Sequence, residues 1–194
     1  MKSLKIPQHP LLTIIAGAFL IVLFVSAYML TEPYLLKVTT TVIIDSDLPA
    51  EFDGVTIAFL SDIHHGPFFS RARVKRTVEM VNGLGSDIIV LGGDYVHRSP
   101  EYIEPVFSEL SNLKAPLSVY AVLGNHDHWE DAELTRIAMK NAGISSIDNN
   151  TYWISKGGAN IRIGGVGDLW EDMQDIEKTT RGTSKKDFVV LAAI

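Results

Sequence analysis

The longest apolar stretch of the chain comes first. Leu11 to Leu30 is a run of 20 residues without a charge, inside an uncharged segment from Ile6 to Thr31. As a helix, such a run spans a hydrocarbon core of about 30 Å, whereas a buried helix of a soluble domain would carry a polar face. Beyond it the pattern changes to short apolar runs alternating with amphipathic ones. Val38–Ile44, rich in Thr and Val, predicts a strand, and Val55–Leu60 predicts a second. Arg71–Leu84 predicts a helix with Val74, Val78 and Val81 on one face. Asp87–Leu91 is nearly all apolar, the signature of a central strand covered on both faces. Pro100–Leu113 predicts a helix with Ile103, Phe107 and Leu110 inward and Pro105 near its start, where proline is tolerated. Ser118–Leu123 predicts a strand and Asp131–Asn141 a helix. Thr151–Ser155 and Asn160–Gly164 predict a hairpin, and Phe188–Ala193 a final strand. Strand, helix, strand, helix, strand builds right-handed βαβ units and an α/β fold.

The flanks of the apolar run orient it. Lys2 and Lys5 precede it and Glu32 follows it, so the positive end stays in the cytoplasm and the bulk of the chain lies outside. Val25-Ser26-Ala27 would pass as a signal-peptide cleavage site, but the apolar run is long and continues past it. The reading is a short cytoplasmic N-terminus and signal anchor over residues 1–31, an exit segment over 32–37, and a domain over 38–194. That places the protein in the cell membrane as a single-pass protein with its domain extracytoplasmic.

Charge narrows the partners. The net charge is −6, and no basic surface suited to nucleic acid is visible. Arg71, Arg73, Lys75 and Arg76 form the only dense basic cluster. A solvated helix face is the expected use of it, with anionic headgroups or a phosphate substrate as the alternative. There is no cysteine, which removes disulfides, thiolate metal sites and cysteine nucleophiles. Metal ligands would have to be Asp, His, Asn or Glu, suited to hard or borderline divalent ions.

Those residue types stand at the ends of three apolar runs. Val55–Leu60 leads into Ser61-Asp62-Ile63-His64-His65-Gly66, Asp87–Leu91 into Gly92-Gly93-Asp94-Tyr95, and Leu117–Leu123 into Gly124-Asn125-His126-Asp127-His128. In open α/β sheets, functional groups gather beyond the carboxyl ends of the strands. Asp62 and His64, two apart, can direct a carboxylate and an imidazole at one ion. Asp94 follows two glycines, which let the backbone turn sharply, so its two oxygens can reach two ions. Asn125 adds a neutral carbonyl oxygen and His126 follows it. Any one of these alone reads as a turn cap or packed residue; the combination, in this order, does not.

The series Asp-x-His, Gly-Gly-Asp, Gly-Asn-His-Asp resembles the calcineurin-like metallophosphoesterase superfamily, in particular its bacterial membrane-anchored branch of YkuE-like and YaeI-like phosphodiesterases. The resemblance covers roughly Val38 to Ile194. It implies a four-layer α-β-β-α sandwich, incomplete at the C-terminus, and two divalent metal ions (Mn, Fe, Zn or Mg). It implies Asp62 and His64 on the first metal, Asp94 bridging, Asn125 on the second, and His126 as the catalytic residue, stabilising phosphoryl oxygens or protonating the leaving group. A metal-bridging hydroxide would attack phosphorus in line. Asp127 would orient the loop or a histidine without being a ligand. His65 and His128 have no firm role, His97 has a minor chance of touching substrate, and Asp168 lies in an acidic loop. Trp129 and Trp170 are expected to be packing residues, with contact to a lipid or nucleoside as the alternative.

The same resemblance implies three further histidines beyond the strand near Phe188, and no histidine follows His128. The expectation is therefore an N-terminal portion of a phosphoesterase domain, C-terminally truncated, lacking its C-terminal metal-binding histidines and impaired in catalysis. The substrate would be a phosphodiester or phosphomonoester, possible choices being a phospholipid or lipid-linked nucleotide at the membrane. The competing readings are a non-catalytic membrane-tethered binding or structural remnant and a metal-dependent nuclease.

Overall fold

The structure, a computed structural model, describes residues 10–32 and 35–193. Lys2 and Lys5, residues 33–34 of the exit segment, and Ile194 lie outside the described residues. The chain divides into two units, Met1–Ile43 and Ile44–Ile194.

The first unit contains helix α1, Pro10–Thr31. It is the one helix among the described residues long and apolar enough to cross a membrane, and its large side chains are exposed on all sides. An apolar surface all round a 22-residue helix is suited to lipid and costly in water. Residues 38–44, predicted as a strand, are not one. They are exposed and pair with no strand among the described residues. Their β propensity has no ladder partner to realise it.

The second unit holds two sheets. β1 (Ile57–Leu60), β2 (Ile88–Leu91), β3 (Val119–Ala121) and β4 (Ser145–Ser146) form a parallel sheet in that order. The helices α2 (Arg71–Gly83), α3 (Ile103–Leu110) and α4 (Asn125–Asn141) connect them. β5 (Asn150–Lys156) and β6 (Ala159–Gly165) make the expected hairpin, and β7 (Val189–Ala192) adds parallel to β6. The sheets are therefore mixed, within an α/β fold.

Alternation in β2 explains the layering. Ile89 and Leu91 enter one core with Val74 and Val78 of α2, Val106 and Leu110 of α3 and Met139 of α4. Ile88 and Val90 enter a second core with Ile154, Ile161 and Ile163 of the hairpin. β2 is thus buried on both faces, as its unbroken apolar run predicts. Each such fully buried side chain contributes about 1.5–3 kcal/mol. The short helix α5 (Ile176–Thr180) caps β6 through Thr179, whose hydroxyl donates to the Gly165 carbonyl at 3.0 Å.

Local chemistry sets the helix ends. Pro105 occupies the third position of α3, where its missing N–H is one of the donors the first turn leaves unpaired. α4 starts earlier than predicted, at Asn125, and breaks at Asp131, whose φ of −175 is extended. The Asp131 carboxylate accepts from the Leu134 N–H at 2.9 Å, capping a new segment. The predicted helix start is that second segment. In the basic cluster, Arg71 pairs with Glu109 at 2.6 Å, and Arg73 lies 4.2 Å from the Phe69 ring centre.

Candidate metal centre

The parallel sheet carries its site residues on the loops just past β1, β2 and β3. Those loops continue the ladder beyond the strands. Asp62 N–H donates to the Gly93 carbonyl at 3.1 Å, His64 N–H to the Asp94 carbonyl at 2.9 Å, and His65 N–H to the Tyr95 carbonyl at 2.8 Å. The first two hydrogen bonds help hold a strained backbone. Asp62, His64 and Asp94 have φ of 57, 49 and 56, the left-handed region that costs a non-glycine residue about 1–3 kcal/mol.

Two glycines make room. Gly93, with φ 96, passes so close to the Gly124 backbone that a Cβ there would meet Gly124 Cα at 2.9 Å. A Cβ on Gly124 would collide with the Asp94 carboxylate. The loops after β2 and β3 therefore touch backbone to backbone, and Asp94 is wedged between them.

Asp127 ties this contact together. Its carboxylate accepts from Asp94 N–H at 2.8 Å, Gly124 N–H at 3.0 Å and Tyr95 N–H at 2.9 Å. The side chain is buried, and desolvation pushes its pKa up to about 7 against the opposing pull of the three N–H donors. This is the orienting role expected of it. Asp148 supports the neighbouring turn, accepting from Leu123 N–H at 2.8 Å. Burial likewise raises its pKa, to about 6.

Asp94 is held at one oxygen and open at the other. Oδ1 accepts from His126 N–H at 2.9 Å. Oδ2 lies 3.6 Å from His64 Nε2, which is also 3.6 Å from Asp62 Oδ1. These separations are too long for hydrogen bonds. They suit donors arranged around a cation, since ligands about 2.1 Å from an ion stand about 3–3.6 Å from each other. Asp62, His64 and Asp94 form one cluster able to hold a metal ion, and His64, His97 and His126 form another, with the donor atoms within 4.8 Å of one another in each. An imidazole with two carboxylates fits a borderline divalent ion.

This geometry corrects one expectation. Histidines able to hold a metal are present: His64, His97 and His126 form one such group, and His64 also joins Asp62 and Asp94 in another. Counting donors only beyond His128 left out His97, which motif spacing did not single out. The His65–Val96 bridge draws it in by extending the loop ladder, with His97 N–H donating to the His65 carbonyl at 3.0 Å. Asn125 opens α4 directly after Gly124 and is half-buried.

Other residues take different roles. His65 is neither at the surface nor lining a mouth: it is buried, with Nδ1 2.7 Å from the Phe69 carbonyl and its ring edge-on to Tyr102. Asp168 is buried and accepts from the Trp170 and Glu171 N–H groups at 2.8 and 2.9 Å, so it shapes its own turn. Trp129 and Trp170, expected to pack inside, are 59% and 79% exposed. Trp129 nevertheless sits against His126, ring centres 4.7 Å apart, and donates to Glu171 Oε1 at 2.8 Å. The loop with exposed Leu169 and Trp170 thereby adjoins the His126 side of the site.

Residues 55–192 match the calcineurin-like phosphoesterase family. The chain belongs to that family. Over 157 residues it is 29% identical to a transmembrane protein with metallophosphoesterase domain from Danio rerio, covering 75% of this chain and 36% of that protein. Over 118 residues it is 30% identical to phosphodiesterase YaeI of Escherichia coli, covering 59% and 44%. Over 101 residues it is 37% identical to UDP-2,3-diacylglucosamine pyrophosphatase LpxG of Chlamydia trachomatis, covering 50% and 30%. The chain thus spans less than half the length of each of these relatives. Animal and bacterial proteins match alike, so the similarity does not single out the bacterial branch.

Proposed function

We propose that this calcineurin-like phosphoesterase is a membrane-anchored, metal-dependent hydrolase of a phosphodiester or phosphomonoester. The observation that carries the reading is the convergence of Asp62 Oδ1, His64 Nε2 and Asp94 Oδ2 at non-hydrogen-bonding separations. Asp62 and His64 would hold one divalent ion, Asp94 would bridge to a second, and Asn125 would complete that second position. When bound, such a pair of ions supplies charge neutralisation at phosphorus and an acidified water. The protein's own part is geometry. Asp127 fixes Asp94 and the start of α4 relative to each other, and the Asp94–His126 backbone hydrogen bond keeps His126 beside the carboxylate.

The substrate class follows from the anchor and the surroundings of the site. α1 keeps the domain at a membrane, with the N-terminus cytoplasmic and the domain outside by the Lys2 and Lys5 flank. Exposed Trp129 beside His126, together with Leu169 and Trp170, suits a substrate with an apolar portion. A phospholipid or lipid-linked nucleotide meets both conditions, and LpxG by its name acts on a diacylated UDP-sugar. Within the family, the reading places the chain with the membrane-anchored YaeI-like phosphodiesterases.

The test is a substrate panel on the full chain in detergent with Mn²⁺. It includes a water-soluble diester, a phospholipid and a diacylated nucleotide-sugar. Hydrolysis of a lipidic substrate at higher kcat/KM than the soluble diester is expected. Hydrolysis of the soluble diester alone would remove the lipid assignment, and no hydrolysis of any would remove the enzyme reading.

A further inference from the structure

The segment after β6 reverses the usual polarity of a surface loop. Between Asp168 and Ile176 the large apolar side chains face solvent: Leu169 is 58% exposed, Trp170 79%, Met173 73% and Ile176 56%. The acids between them bond back to the protein. Asp168 is buried and accepts from the Trp170 and Glu171 N–H groups. Glu171 Oε1 accepts from Trp129 Nε1, and Asp172 Oδ2 lies 3.8 Å from a guanidinium nitrogen of Arg136. Asp175 caps α5, accepting from Lys178 N–H at 2.7 Å. Asn149 ties the base of the loop. Its Oδ1 accepts from Gly167 N–H at 3.2 Å and Asp175 N–H at 2.8 Å, and its Nδ2 donates to the Met173 carbonyl at 2.6 Å. The apolar side chains are therefore presented by a loop pinned along its length.

We infer that this loop docks on a lipid bilayer, with Leu169, Trp170, Met173 and Ile176 entering its interfacial layer. The inference rests on the proposed anchoring of the chain by α1 and goes beyond it, since an anchor alone leaves a domain free to turn. A row of outward apolar side chains with the carboxylates bonded inward is unfavourable in water and suits a surface that solvates hydrocarbon. Tryptophan adds a ring that settles at headgroup level. The exposed cations that follow the loop, Lys178, Arg181, Lys185 and Lys186, match the phosphates of the headgroups. A second protein would also cover an apolar loop, but a chain anchored by α1 meets lipid permanently. The consequence is orientation. Trp129 holds the loop through Glu171 and packs on His126 with its ring, so a seated loop turns the His126 side of the metal centre toward the bilayer in which a lipidic substrate would lie.

The chain has no cysteine, so a single introduced cysteine can carry a nitroxide label. The full chain is read in nanodiscs of phosphatidylcholine and phosphatidylglycerol, by the accessibility of each label to oxygen and to a water-soluble nickel chelate. Met173→Cys and Ile176→Cys replace exposed side chains and leave the hydrogen bonds of the loop in place. Leu20→Cys in α1 reports the anchor, and Lys140→Cys, exposed at the end of α4 away from the site, reports water. The expected result is a depth of about 5–10 Å into the headgroup–acyl boundary at Met173→Cys and Ile176→Cys, with the Lys140→Cys label in water. Loop labels as open to the nickel chelate as the Lys140→Cys label would overturn the inference, and a Leu20→Cys label deep in lipid would then leave the anchor standing. Loop labels shielded from both oxygen and chelate would reveal a protein cover, a partner or a second copy, and overturn it too. A Leu20→Cys label in water would remove the proposed anchoring and the inference with it.

Discussion

The two halves of the site are built from the same kinds of residue and solve different problems. On the Asp62–His64–Asp94 side, donor atoms face one another at 3.6 Å with no hydrogen bond to close the gap. On the His97–His126 side, His97 Nδ1 lies 3.4 Å from His126 Nδ1 and Arg98 Nε donates to His97 Nε2 at 3.1 Å. His64 belongs to both, its donor atoms clustering with Asp62 and Asp94 on one side and with His97 and His126 on the other. What separates them is whether the lone pairs are already used. Closeness of histidines is therefore a weak guide to ligation until the hydrogen bonds around each ring have been counted.

The comparison can be broken most sharply at Asp94, which touches both halves. Asp94→Asn keeps the shape and an acceptor for the His126 N–H but removes the charge facing His64. Metal-dependent hydrolysis should fall by at least about 100- to 1000-fold, measured as kcat/KM, with weaker metal binding by calorimetry. Retained activity would mean that the carboxylate half is not the metal half.

Asp127 is the common support, and its loss should blur the distinction. Asp127→Ala leaves three backbone N–H groups without their acceptor, a cost of about 3–5 kcal/mol in urea unfolding. Asp127→Asn should rescue little of this. Each carboxylate oxygen accepts from a backbone N–H, and the amide would turn an NH₂ toward one of them. Full rescue by Asn would show that neither the charge nor the second acceptor oxygen matters there.

On the histidine side, Trp129→Ala removes the ring against His126 and half of the link to Glu171. A loss of about 3- to 10-fold is expected for a lipidic substrate, in line with one stacking contact, and less for a soluble diester. Equal losses on both would show that Trp129 serves only to place His126.

The smallest effect concerns pH. The Asp148 pKa is raised on folding to about 6 by burial, so the protonated form favours the folded state. Its contribution is present below the usual carboxylate pKa and is lost as pH rises through about 6. Asp148→Asn cannot ionise and should gain about 1–2 kcal/mol over the parent between pH 4 and pH 8, read as a difference in urea midpoint. An unchanged difference across that range would show that Arg136, whose Nε is 4.0 Å away, fully compensates the carboxylate.

Much of this architecture was legible before any coordinates. The unbroken apolar run of β2 announces a strand covered on both faces, and Gly-Gly before Asp94 announces a close backbone passage. The paired glycines Gly157 and Gly158, both at positive φ, announce the hairpin. Residues 38–44 misled because β propensity states what a segment could do if a partner strand were present. His97 was undervalued for a related reason. Its place comes from the ladder between the loops after β1 and β2 and from the left-handed Arg98, neither of which leaves a periodic trace. The tryptophans misled because size alone does not decide burial: Trp129 stands on the exposed face of α4 and Trp170 in a turn, both 59% or more exposed.

The most direct test of the central claim is a Mn²⁺ titration of the full chain in detergent, following hydrolysis of bis-p-nitrophenyl phosphate beside an Asp94→Asn control. The account predicts saturable, metal-dependent turnover that a chelator abolishes and the variant lacks. Turnover indifferent to chelator and to Asp94→Asn, or Mn²⁺ binding with no turnover, would contradict it.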